Sequence, residues 1–285
     1  MPFTLSHAAA VLPAIRRRGG TGRGALVASG LVAGSLAPDL TYFTAGVLPG
    51  AMEFGQFTHS PTGVVTVDVL CAALLAGGWL LLREPLVALL PAARQGRVYG
   101  LLRGESWHRR GRLALAGWFW VSAVLGALTH VVWDSFTHPG RAGVRALPAL
   151  AGQSAGFPRY LWLQYGTSAL ALLVLLWYLA GALRRTPDRP APAAVPRLGS
   201  GARAAALLAL ALAGAAGAGL RLARFFSYVD HVETPLDLIP TLCFGAGAGI
   251  ALALPVYAAL IRYRHRPRGG ADTGTGQRPR TPVAP

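Results

Sequence analysis

His130, Asp134 and His138 recur at four-residue intervals within THVVWDSFTHPG, residues 129–140. On a helix each step of four residues turns by only about 40°, so the three side chains share one face. Imidazole nitrogens and carboxylate oxygens are the ligands that zinc and related divalent metals prefer. The same residues also suit a proton path or a solvated helix end. Which of these applies depends on what the rest of the chain brings to that face.

The surroundings are apolar. Of 285 residues, 53% are hydrophobic and only 13% charged, with mean hydropathy +0.44. A soluble domain carries about 25% charge, so the composition points to a membrane protein. All 27 basic residues are arginine and the formal net charge is +16. The arginines cluster between apolar runs, which is the pattern of a cytoplasmic membrane face and not of a nucleic-acid footprint. No nucleic-acid partner is therefore expected. An arginine-only chain rich in Ala, Gly and Pro also fits a GC-rich bacterial genome.

Spanning a bilayer takes about 20 mostly apolar residues. The runs at about 62–82, 113–136, 160–183 and 203–222 qualify directly, and 238–261 qualifies despite its glycines and prolines. Pro38 and Asp39 interrupt the run 25–45, and the run 3–15 is short. The expected fold is an all-α, polytopic membrane bundle with about six to seven membrane segments. Four units are expected along it: a membrane domain over 1–183, a cytoplasmic Pro-rich linker over 184–202, a two-helix hairpin over 203–263 and a disordered basic tail over 264–285.

Twenty-two of the 27 arginines fall before residue 24, in 83–112, in 184–203 or after 261. The positive-inside rule places 83–112, 184–203 and the C-terminus in the cytoplasm. If residues 3–18 enter from outside, RRRGGTGRG is cytoplasmic too; otherwise 3–15 is an amphipathic helix on the inner surface. Arginines follow the first apolar stretch instead of preceding it, so that stretch is read as mature structure and not as a cleaved signal.

With this topology His130, Asp134 and His138 lie at the outer end of their helix. Asp39 and His59 fall at the outer ends of theirs, and His7 joins them if the N-terminus is outside. Ionisable groups near a bilayer are costly, which makes such a convergence a functional hypothesis. Asp39 and His59 can complete a metal site begun by the 130–138 face. Asp68, mid-segment, reads as a buried hydrogen-bond partner. Asp230, His231, Glu233 and Asp237 read as loop-solvating groups, and His108 and His265 as surface residues. Gln164 and Ser168 suit either contact with the cluster or helix packing. Cys71 and Cys243 read as small core residues, for neither has a close partner in sequence. There is no repeat, phosphate-binding glycine loop or GxSxG elbow.

The blocks MPFTLSHAAAVLP, GSLAPDLTYF, THSPTG, LTHVVWDSFTHPG and YLWLQYGTS, in that order over residues 1–180, resemble the bacterial membrane family catalogued as domain of unknown function 4184. More distantly, the chain is similar to the LexA-regulated inner-membrane proteins described as metal-dependent hydrolases. These share an N-terminal histidine, an aspartate in a Pro-Asp step and a His-x3-Asp helix. The pattern also resembles the helical zinc phospholipase C and nuclease folds. The resemblance implies that His7, Asp39, His59, His130, Asp134 and His138 are the metal-ligand positions, and it favours an outside N-terminus.

The expected function is hydrolysis of an ester or phosphoester at the extracytoplasmic side of a bacterial inner membrane, where a lipid-linked substrate suits a site that borders the membrane. A divalent metal, zinc first, is the expected cofactor, with Asp134 or Asp39 as general base. Membrane lipids are the expected surroundings and a lipid-like phosphoester a fitting substrate. A structural or assembly protein whose polar cluster only holds helices together is the alternative. An ion or proton transporter comes third, since no inverted repeat or second polar cluster continues a path inward.

Overall fold

The computed structural model describes residues 3–17, 20–103, 110–229, 232 and 234–265. His108, Asp230, His231, Glu233 and the tail beyond His265 lie outside the described residues. Within them the chain is all-α apart from a two-residue hairpin, β1 (Gln153–Ser154) with β2 (Phe157–Pro158). The helices are α1 (Ala28–Leu36), α2 (Leu40–Thr44), α3 (Gly55–Thr58), α4 (Pro61–Val65), α5 (Val67–Ala88) and α6 (Ala92–Leu102). They continue with α7 (Arg112–Thr137), α8 (Ala142–Ala146), α9 (Arg159–Arg185), α10 (Ser200–Phe226) and α11 (Leu238–Arg264).

Five of these, α5, α7, α9, α10 and α11, are long and apolar enough to cross a membrane. At 22–27 residues each they extend about 33–40 Å, more than the roughly 30 Å of a hydrocarbon core. Their outward faces carry Leu70, Leu74, Leu113, Leu173, Leu212 and Leu252, all exposed, as a lipid-facing surface requires. The fold class is the one the sequence implies, but the spans number five among the described residues, not six to seven.

The two missing spans have physical causes. Over 25–45 the helix stops at Leu36, passes through a 3-10 turn at Ala37–Asp39 and resumes as α2. Pro38 lacks the amide hydrogen that a continuous helix would need there. At the N-terminus, Thr4–Ala9 and Leu12–Ala14 are 3-10 helices. This segment runs beside α9: Phe3 packs edge-on against Tyr165, centroids 5.8 Å apart, and the Tyr178 hydroxyl donates to the Arg16 carbonyl at 3.2 Å. Tyr165 and Tyr178 are separated by about 20 Å along the helix. A 3-10 helix rises about 2 Å per residue, so a short segment covers more depth than the same residues would as an α-helix.

The packing that matters for the polar cluster is between α1 and α7, whose backbones approach closely. The buried face of α7 presents Ser122, Ala123, Gly126 and Ala127 below His130 and Asp134. A Cβ on Gly126 would run into the Leu31 carbonyl and the Ser35 amide nitrogen of α1, and one on Gly34 would meet the Ala123 backbone. Small residues let backbones approach where no hydrophobic driving force separates protein from lipid. Ser122 adds a tie, its Oγ accepting from the Val27 amide at 2.8 Å. Residues 186–199, the Pro-rich stretch, lie along α5 and α6: Val195 is buried with Val87 and Ala88, and Arg97 pairs with Asp188 at 3.2 Å.

Gly126→Ala is expected to lower stability by about 1–3 kcal/mol through overpacking. Gly117→Ala, at a helical site with nothing within 4 Å of the added carbon, is expected to leave it unchanged. Thermal unfolding of the two variants in one detergent compares them directly.

Candidate metal centre

Three local devices bring the polar residues together. The 3-10 turn at Ala37–Asp39 ends on Asp39, which is fully buried. The Thr58 hydroxyl donates to the Pro38 carbonyl at 2.8 Å, which fastens α3 to that turn and brings His59 beside Asp39. Ser60 then caps α4, accepting from the Gly63 amide at 3.1 Å with Pro61 in the first helical turn. His130 and Asp134 arrive from the last turns of α7, one turn apart on the buried face.

The result is a compact ring of donor atoms. His130 Nε2 lies 3.4 Å from Asp39 Oδ1 and 3.5 Å from Asp134 Oδ2. His59 Nε2 lies 3.7 Å and 3.6 Å from the same two oxygens. Nitrogen and oxygen alternate round the ring, all four atoms fall within 4.8 Å of one another, and all four residues are buried. Atoms so spaced surround a centre about 2.2–2.5 Å from each, within the roughly 2.0–2.6 Å of divalent-metal bonds to N and O.

The separations are not those of hydrogen bonds, which need about 2.7–3.2 Å. The outer nitrogens explain why. His130 Nδ1 donates to the Ser35 carbonyl at 2.7 Å, and His59 Nδ1 to the Gly55 carbonyl at 2.8 Å. A carbonyl only accepts, so both Nδ1 atoms carry hydrogen, and each ring turns its Nε2 toward two carboxylates. Neither Nε2 has a hydrogen-bond partner among the described residues. Lone pairs facing carboxylates in a buried site repel unless positive charge stands between them. Protons on the rings supply it, and so does one divalent cation. Backbone anchoring of the far nitrogen is the usual means of orienting a metal-ligating histidine.

His7 and His138 flank the ring without entering it. His7, fully buried, stacks on His130 with centroids 3.6 Å apart and places Nε2 3.4 Å from Asp134 Oδ1. Neither of its ring nitrogens has a hydrogen-bond partner among the described residues. His138 caps α7, its Nδ1 3.3 Å from the Asp134 carbonyl and 3.6 Å from Asp134 Oδ2, while Gln164 Nε2 donates to its Nε2 at 3.2 Å. Burial pushes the His138 imidazole down to about 4, against the opposing pull of Asp134. It is neutral at pH 7 and forms the partly exposed rim of the site, its side chain 24% accessible against 4% for Asp134. Gln164 thus contacts the cluster, as its position on α9 allowed.

Over residues 1–259 the chain matches the family model described as "Domain of unknown function (DUF4184)". The chain belongs to this family. No curated protein and no solved structure is similar enough to count as a match. The DUF4184 description names no activity, so the chemistry rests on the geometry of the buried ring. All six residues expected as ligands meet at one end of this DUF4184 bundle, four in the ring and two against it.

The polar residues read as structural lie outside the ring. Asp68 is fully buried in α5, and its carboxylate has no hydrogen-bond partner among the described residues. Asp237 accepts from the Thr234 amide at 2.9 Å, an ordinary turn cap. Cys71 and Cys243 are free thiols. Sequence reading missed Thr4, whose buried hydroxyl donates to Asp39 Oδ2 at 2.6 Å. It also missed the carbonyls of Ser35 and Gly55, since a backbone acceptor leaves no mark in residue type.

Thr4→Val keeps shape but leaves Asp39 Oδ2 without this donor. A buried hydrogen bond to a charged group is worth about 1.5–3 kcal/mol. The expected outcome is a loss of that size in thermal or denaturant unfolding, with Thr4→Ser close to wild type.

Proposed function

We propose that this chain is a membrane-embedded, metal-dependent hydrolase that cleaves an ester or phosphoester, lipid-like in character, at the extracytoplasmic boundary of a bacterial inner membrane. One observation carries the reading: two Nε2 atoms with backbone-anchored rings and two carboxylate oxygens surround one point at metal-ligand spacing. Asp39, His59, His130 and Asp134 would hold the ion, and zinc suits such a nitrogen and oxygen set. A bound divalent ion supplies Lewis acidity, drawing electron density from a substrate oxygen and easing ionisation of water.

The chain's own groups divide the remaining work. The Asp39 Oδ2 atom is engaged by Thr4, while Asp134 Oδ1 has no hydrogen-bond partner among the described residues. Asp134 is therefore the better general base, and His7 Nε2 at 3.4 Å gives the proton a second station. His138 and Gln164 line the approach and suit contact with the leaving group. The arginine distribution supports an outside location for this end, where an amphiphilic substrate would meet the site from the lipid.

The test is metal content of the detergent-purified chain by mass spectrometry, beside His130→Gln and Asp134→Asn, which preserve side-chain volume. Near-stoichiometric zinc or another divalent ion is expected in the wild type, with occupancy down more than tenfold in either variant. Chelation is expected to lower the melting temperature of the wild type only, because an ion that binds the folded state alone stabilises it. Metal-loaded protein should then cleave an aryl phosphoester or a phospholipid. Absence of metal after supplementation, with wild-type stability in Asp134→Asn, would make the cluster a polar helix contact and the protein a structural one. Metal without turnover of either ester class would overturn the hydrolase assignment alone.

A further inference from the structure

At the opposite end of α9 from the His/Asp ring, residues far apart in sequence close around two adjoining cavities of about 490 and 300 Å³. Arg17 and Arg185 line both, and Arg184 and Trp177 line the smaller. Topology sets the depth. His138, at the end of α7, meets Gln164 near the start of α9 at 3.2 Å, so the far end of α9 lies a full membrane thickness away. Arg184 and Arg185 are the last two residues of that helix, at headgroup level.

The arginines are organised as well as numerous. The Arg17 guanidinium lies over the Trp177 ring, 4.9 Å from its centroid. An Arg185 Nη2 donates to the Arg17 carbonyl at 3.5 Å, and the Tyr178 hydroxyl holds the Arg16 carbonyl. Gly181 gives Arg185 room to lie back along the helix, for a Cβ there would sit 3.1 Å from Nη1. These ties span more than 160 residues of sequence. A charge bias across the membrane requires arginines on this side but does not require them to converge on one concavity.

Among the described residues no carboxylate lines either cavity. The neighbouring acids are committed elsewhere: Glu84 to Arg83 and Arg262, and Asp188 to Arg97. Arg17, Arg184 and Arg185 have no ion-pair partner among the described residues. Guanidinium groups match phosphate oxygens in geometry and are weakly hydrated, so three of them around a cavity favour a phosphate. Trp177, 60% exposed, stands about 10 Å deeper than Arg184 on the lipid-facing surface, where acyl chains would continue from a headgroup.

We infer that this cavity binds the phosphate headgroup of an anionic phospholipid of the leaflet facing the arginines, with Arg17, Arg184 and Arg185 holding the phosphate and Trp177 the glycerol and first methylenes. Basic pockets between membrane helices on the cytoplasmic side are the recurring form of such sites. The site lies across the membrane from the His/Asp ring, shares no residue with it and stands whether or not that ring is catalytic.

The full chain, purified in a neutral detergent, would be titrated with phosphatidylglycerol or phosphatidylcholine and read by native mass spectrometry. A single phosphatidylglycerol is expected to be retained, with phosphatidylcholine at least tenfold weaker. Arg17→Gln/Arg185→Gln is expected to weaken retention by an order of magnitude or more, and Arg94→Gln, outside the cavity, to leave it unchanged. Size-exclusion and thermal profiles matching the wild type establish that the double variant is folded, and Gly181→Leu, which displaces Arg185, repeats the test from another residue. Equal retention of both lipids, equal loss in Arg94→Gln, or undiminished binding in both cavity variants would each overturn the assignment. Displacement of the lipid by millimolar inorganic phosphate or pyrophosphate would identify a soluble anion as the ligand and overturn it too.

Discussion

The hydrogen bond from His130 Nδ1 to the Ser35 carbonyl joins the two helices on which the site depends, and it forms only because their backbones nearly touch. Gly34 and Gly126 permit that approach, since a methyl group at either would strike the opposite backbone. Close packing places Asp39, just past the end of α1, level with His130 and Asp134 near the end of α7. It also fixes the orientation of the His130 ring, so that Nδ1 carries hydrogen and Nε2 is the atom that faces the carboxylates. A wider spacing would lose both the position of Asp39 and the identity of the atom that meets it.

Burying two aspartates and three histidines at a bundle end is expensive, and the surrounding groups reduce that cost unevenly. Thr4, Ser35, Gly55 and Thr58 satisfy or anchor the outer edges of the cluster. The inner edges, where nitrogen faces oxygen at 3.4–3.7 Å, are wider than hydrogen bonds. A cluster that served only to hold helices together would gain most by closing those distances to hydrogen bonds, for a half-satisfied buried network is a liability. The pattern of satisfied outside and open inside is what a cation site requires.

The two ends of the molecule are built from opposite charge logic. At one end imidazoles and carboxylates gather in a buried ring. At the other, arginines gather around open concavities. The N-terminal 3-10 segment links the two, with His7 stacked in the ring and Arg16 tied to Tyr178. Tilting that segment would therefore be felt at both ends.

Much of this was legible in the sequence because it follows from local pattern. Long apolar runs marked the five spanning helices to within a few residues, and the His-x3-Asp spacing on α7 marked one face of the site. The membrane class followed from composition. Other features were invisible until the chain folded. Pro38 marked the run 25–45 as interrupted, but only the fold shows the 3-10 turn that leads from Leu36 into α2, and a 3-10 conformation lets the short N-terminal run reach depths that an α-helical count denies it. Thr4 was passed over because a lone hydroxyl in an apolar segment has many ordinary uses. Above all, the sequence determined which residue types were available on one side of the membrane, whereas only tertiary packing decided which atoms meet: four ligand atoms in a ring, with His7 and His138 beside it. Residue periodicity fixes the face a side chain occupies, but the register between helices, and with it distances of a few ångströms, depends on contacts between residues nearly a hundred positions apart.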